Sequence, residues 1–169
     1  MKPKTAIDAI IWDLDETIVD TRFLKQARDR RDWAYCRKQI SSVKPCSGIM
    51  SVLATIEKKL PSAIVTNSPR WYANNILETI GYRPDVVIAY SDTRRPKPHP
   101  DPILKAALYL KVAVDHCVVI GDSENDFRAA QNASAQFIGV SWGETSFLEF
   151  EKMGVDSIVA APKDILSFF

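Results

Sequence analysis

The chain has 169 residues, 46% hydrophobic and 25% charged, a balance that supports a real core and excludes a disordered, collagen-like or coiled-coil protein. Lysine plus arginine number 22 against 21 for aspartate plus glutamate, so no global charge draws the protein to nucleic acid or to a membrane surface. Three cysteines, Cys36, Cys46 and Cys117, form no C-x-x-C and fit a reducing compartment.

The first predicted element is a strand over 7–12, IDAIIW, preceded by too few apolar residues for a signal segment. No run approaches the ~18 apolar residues of a membrane span, and the expected location is cytoplasmic with no membrane partner. Residues 21–44 break the pattern that follows. A helix is predicted over 47–60 and ends at Pro61, then a strand over 62–66 (SAIVT) and a helix over 69–81 that stops at Gly81. Next come a strand over 85–90 (DVVIAY), the loop RRPKPHPDP, and a helix over 100–111 with Pro100 and Pro102 at its start. CVVIG (117–121) is a strand, 123–133 a helix with Ser123 as N-cap, and QFIGVSW (136–142) a strand. Short Val/Ile runs alternating with helical segments predict an α/β chain whose parallel sheet is covered on both faces.

In such a sheet, ligands bind at the carboxyl ends of the strands, near the point where strand order reverses. The residues just past the strand ends are therefore read together: Asp13 and Asp15, Thr66 and Asn67, Asp122 and, one turn on, Asp126, with Lys97 in the loop after the third strand. Crowded carboxylates repel unless a cation joins them, and an oxygen-rich cluster suits Mg²⁺. Asp13 and Asp122 are the natural ligands. With the ion and Lys97 cancelling charge, the Asp13 carboxylate can attack a phosphoryl group. Asp15 can protonate the leaving oxygen and then activate water. The Thr66 hydroxyl and the amides of Leu14 and Asp15 suit the phosphoryl oxygens.

With D-x-D-x-T at Asp13, Asp15 and Thr17, IVTNS ending at Thr66, Lys97 in RPKPHPDP and GDSENDF carrying Asp122 and Asp126, the chain resembles the haloacid dehalogenase superfamily of phosphatases. The tail DSIVAAPKDILSFF is similar to the C-terminal strand and helix of its phosphoglycolate phosphatase-like branch. The resemblance implies a three-layer, Rossmann-like fold and a Mg²⁺-dependent phosphomonoester phosphatase working through an aspartyl-phosphate. It adds the Asp15 carbonyl as a metal contact and gives Asp126 support of the metal waters or of Lys97. DLDET departs from the branch's usual DLDGT at Glu16. Phosphotransfer to another acceptor and a silent phosphoryl-binding scaffold are the alternatives; the intact Asp13, Asp15, Lys97 and Asp122 argue against silence.

Several residues have plainer readings. Asn67 touches substrate or caps the following helix, His99 contacts substrate or is an exposed loop residue, the latter favoured because no metal-ligand spacing involves it, and Trp12, Trp71 and Trp142 pack. Residues 1–169 are read as one catalytic domain with a small cap-like insert at about 21–44. That insert is long enough for one long helix or a short helical pair, which leaves the site open. Its eight basic residues face two acidic ones, with Phe23, Trp33 and Tyr35 interleaved. It is either a solvated helix face or a basic rim for a polyanionic phosphorylated substrate, nucleic acid included.

Overall fold

The structure is a computed structural model and describes residues 6–169, so the first five residues of the N-terminal stretch lie outside the described residues. Strand β1 (Ala9–Trp12) is buried along its whole length, as a strand flanked on both sides and covered on both faces must be. The chain continues through β2 (Val19–Asp20), α1 (Lys25–Asp29), α2 (Trp33–Gln39), β3 (Lys44–Pro45), α3 (Ile49–Ile56), β4 (Ser62–Val65), α4 (Arg70–Ile80) and β5 (Val86–Ile88). It ends with α5 (Asp101–Leu110), β6 (Cys117–Gly121), α6 (Glu124–Ala133), β7 (Gln136–Val140), α7 (Phe147–Lys152), β8 (Ile158–Val159) and a 3₁₀ helix, Pro162–Phe168. The C-terminal pair takes the place of the strand and helix that the tail implied.

The main sheet has the order β5-β4-β1-β6-β7-β8, and all its pairings are parallel. Ile11 is flanked by Ala63 and Val119, which fixes the register at the centre. Alternate residues of β1 serve opposite faces. Ile10 and Trp12 join the core made with α3 and α4, whereas Ala9 and Ile11 join the one made with α5 and α6. The result is a three-layer α/β/α fold of Rossmann type. From β1 the chain moves outward through β4 and β5 and then returns to β6 on the other side of β1. The reversal brings the ends of β4, β1 and β6 side by side.

Sequence signals set the helix ends that matter here. Ser123 caps α6 and accepts from the Asp126 N–H, while the Asp126 carboxylate returns to the Ser123 N–H, a capping box that also fixes Asp126 in space. Gly81 closes α4 in the left-handed conformation. Pro69, not Asn67, stands at the N-terminus of α4.

The insert folds as a short helical pair. β2 and β3 run antiparallel, Val19 opposite Pro45 and Asp20 opposite Lys44, and so tie its two ends together. Between α1 and α2, Arg31 adopts φ 57° and the Asp32 N–H reaches back to the Ala27 carbonyl, which closes α1 tightly. Among the described residues no helix is long and apolar enough to cross a membrane.

Candidate active site

The reversal point assembles one hollow of about 430 Å³ from five strand-end loops and the insert. Asp13 follows β1, Thr66 follows β4, Lys97 lies beyond β5, and Asp122 and Asp126 follow β6; all are buried. The Lys97 ammonium lies 2.6 Å from an Asp13 oxygen, 2.5 Å from an Asp126 oxygen and 2.8 Å from the Val65 carbonyl, which accounts for all three of its protons. Burial alone would lower this amine, but Asp126 and Asp13 overcome it and hold the group charged well above its ordinary range.

The carboxylates are pushed the other way. Burial raises Asp13 most, against the pull of Lys97, and the charges of Asp126 and Asp122 raise it further. Burial, then Asp126, lifts Asp122 to about 7. Oxygens of Asp13, Asp122 and Asp126 lie within 4.8 Å of one another, and such a set of hard donors, with the Asp13 and Asp122 carboxyls raised, fits a divalent cation. The partners of Asp126 are Lys97 on one oxygen and the Ser123 N–H and hydroxyl on the other. Among the described residues the donors to the Asp122 side chain are neutral: the Thr17 hydroxyl at 2.9 Å and the Glu144 N–H at 2.7 Å. Its negative charge is thus left for an ion.

A prediction follows from the sign of the Asp122 shift. The folded, metal-free protein retains a proton that the unfolded chain releases, so this group costs stability as pH rises from the ordinary carboxylate range to about 7. A divalent ion binds the ionised form and removes that cost. The rise in Tm on adding Mg²⁺ is expected to be larger at about pH 8 than at about pH 5.5, and an equal or smaller rise would contradict it.

Asp15 is held by four donors. The hydroxyls of Thr21 and Tyr72 and an Arg28 nitrogen, at 2.8, 2.9 and 3.3 Å, meet one oxygen, and the Ser68 hydroxyl at 2.8 Å meets the other. Arg28 also bonds Glu16; burial opposes its charged form, but Asp15 and Glu16 outweigh burial and hold its pKa above the ordinary range. Glu16 has φ 64°, the left-handed conformation that glycine adopts without strain. The departure from DLDGT thus carries a backbone cost and supplies a partner for the insert.

The Thr66 hydroxyl accepts the Ser68 N–H at 3.0 Å, and the residue lines the hollow. Asn67 spends its amide on the Lys97 peptide, donating to the carbonyl at 2.9 Å and accepting from the N–H at 3.1 Å. It fixes the lysine loop. Leu14 is wholly buried in the core and is not among the residues that line the hollow. His99 bonds Asp101 at 2.9 Å and does not line the hollow.

The insert's positive charge is partly spent. Arg28 points inward, Arg22 pairs with Asp20, and Lys25 lies 3.1 Å from Glu144 and 3.8 Å from Asp29. Sequence reasoning missed the supports: Thr21, Ser68, Tyr72 and Arg28 around Asp15, and the 143–145 loop behind Asp122. A Cβ on Gly143 would stand 2.4 Å from Asp122, and the Thr145 N–H bonds the Asp122 carbonyl at 2.9 Å. A glycine three residues beyond the end of β7, beside Trp142, was the available signal.

Comparison with known proteins agrees with this geometry. Residues 23–140 match the haloacid dehalogenase-like hydrolase family, a span that begins after Asp13 and Asp15. Over 88 residues the chain is 36% identical to a phosphoglycolate phosphatase of Escherichia coli K12, covering 51% of this chain and 35% of that protein. A phosphoglycolate phosphatase of Xanthomonas campestris is 40% identical over 82 residues, 47% of this chain and 37% of that one. The matches thus take in only about a third of the length of these relatives.

Solved structures extend the likeness along the fold. A haloacid dehalogenase-like hydrolase of Streptococcus pneumoniae superposes with TM-score 0.82 at 19% identity, over 96% of this chain and 98% of the other. A Haemophilus somnus 129PT protein described as a predicted phosphoglycolate phosphatase gives 0.85 at 18%, over 97% and 98%. At such identity they establish the fold. Taken with the matched span, they place the chain in the haloacid dehalogenase-like hydrolase family.

Proposed function

We propose that this protein hydrolyses phosphomonoesters by passing the phosphoryl group to Asp13 and then to water, with Mg²⁺ at the carboxylate cluster. The observation that carries this reading is the convergence, from separate strand ends, of a buried carboxylate, a buried ammonium bonded to it, a hydroxyl and two further carboxylates on one hollow. A binding module needs no carboxylate where an anionic ligand must approach, whereas covalent phosphoryl transfer does.

Asp13 and Asp122, with the Asp15 carbonyl that the family resemblance implies, would hold the ion. When bound, it would offset the negative charge of the phosphoryl oxygens and of the nucleophile. Lys97 neutralises Asp13 from the other side and is fixed there by Asp126 and by the Asn67 clamp on its peptide. Thr66 donates to a phosphoryl oxygen. Asp15 delivers a proton to the leaving oxygen and takes one from the attacking water. The phosphoglycolate phosphatases among the relatives support a phosphatase, while the modest share of their length that is matched leaves the substrate to be read from this chain.

The experiment is hydrolysis of a small aryl phosphate. Turnover is expected with Mg²⁺, loss in excess chelator, and poor support by Ca²⁺, whose looser coordination misplaces the nucleophile. Full turnover in chelator would refute the metal role.

A further inference from the structure

Beyond the reacting groups the hollow is lined by Lys25, Asp29 and Glu144, joined by ion pairs, and by Trp33, Tyr90 and Arg31. Trp33 is anchored from behind, edge-on to Trp71 at 6.3 Å and tilted on Tyr72 at 5.7 Å, and the same ring lines the hollow. Tyr90, just past β5, is 44% exposed there, with the Arg31 guanidinium 5.9 Å from its ring centre. Two aromatic rings and a guanidinium, one ring on the core and one on the insert, thus border the space beside the phosphoryl site.

Charge decides what that space favours. Arg28 is committed to Asp15 and Glu16, and Lys25 to Glu144 and Asp29. A second phosphate or carboxylate directed at Arg28 or Lys25 would displace these pairs and meet their acids. An uncharged planar ring would meet aromatic and guanidinium surface instead, which stacks on any base. The hollow, about 430 Å³, exceeds what a phosphoryl group and a short aliphatic chain fill.

Resting on the phosphatase reading, we propose that the substrate is a phosphomonoester of an alcohol that carries a planar heteroaromatic ring, of the nucleoside monophosphate class, with the ring received by Tyr90, Trp33 and Arg31. The reaction is unchanged in kind: the ester oxygen leaves with a proton, and phosphorus passes to Asp13 and then to water.

The test compares AMP with glycerol phosphate in wild type and Tyr90→Leu, which keeps apolar bulk but removes the plane. Wild type is expected to favour AMP by about tenfold or more in kcat/KM, mainly through KM, and Tyr90→Leu to cut that preference by about ten- to hundredfold. A preference for glycerol phosphate, or equal losses for both substrates in the variant, would overturn the assignment and leave Tyr90 a clasp for Arg31.

Binding separates this from the chemistry. AMP affinity measured by calorimetry on Asp13→Asn, with and without Tyr90→Leu, is expected to differ about tenfold or more, whether or not wild type turns AMP over. No difference would sink the stacking site. Absence of hydrolysis with that difference intact would sink only the phosphatase reading.

Discussion

Asp13→Asn is expected to lower kcat/KM for an aryl phosphate by at least about 10³-fold, a loss of about 4 kcal/mol of transition-state stabilisation, while the protein keeps its fold. The amide matches the carboxylate in shape but offers no anionic oxygen to phosphorus. Stability should not suffer. Burial and two neighbouring acids already raise Asp13, so a neutral group there relieves repulsion in the metal-free protein. Kinetics and thermal melting in chelator check the two halves: activity lost with Tm equal or higher. A variant that retains most of its activity contradicts the nucleophile assignment, and one that loses Tm contradicts the electrostatic description of the cluster.

Lys97→Met is expected to lose both activity and stability. The ammonium is 5% exposed and bonds Asp13, Asp126 and the Val65 carbonyl, so its removal leaves two buried carboxylates without their cation. Breaking one side of a buried pair costs about 3–5 kcal/mol, which for a domain of this size lowers Tm by on the order of 10 °C. The deficit has a pH signature. Asp13 is already raised by burial, and protonating it discharges a stranded group, so the gap from wild type should narrow as pH falls. Melting curves at about pH 8 and about pH 5 check this; a gap that stays constant would mean that Lys97 contributes packing and not charge.

Much of the fold was legible because strands covered on both faces must be apolar at every position. AIIW and CVVIG announce β1 and β6 without help from their neighbours. Ser123 and Gly81 marked helix ends by local chemistry, which needs no tertiary partner. The two-residue strands β2, β3 and β8 carry too few residues to show a period, and so does the six-residue α7, which Ser146 and Glu149 open with a capping box.

The candidate site was legible in its strand-end residues and opaque in its supports. Asp13, Thr66, Lys97 and Asp122 are found together because topology carries strand ends to one edge. Which hydroxyls hold Asp15 is a question of side-chain direction: Ser68 and Tyr72 come from 53 and 57 positions away. Arg28 shows the same limit. Counted by charge it belongs to a basic surface, yet folding turns it onto Asp15 and Glu16, and the electrostatics of the insert change accordingly.

The central claim, that Asp13 carries the phosphoryl group, is tested most directly by quenching the enzyme in acid during turnover of an aryl phosphate and locating phosphate on its peptides by mass spectrometry. The account predicts a hydroxylamine-labile phosphoryl group on the peptide that contains Asp13, absent from Asp13→Asn, because an acyl-phosphate is cleaved by that nucleophile and a phosphoester is not. Phosphate on another residue, or undiminished label in Asp13→Asn, would contradict it.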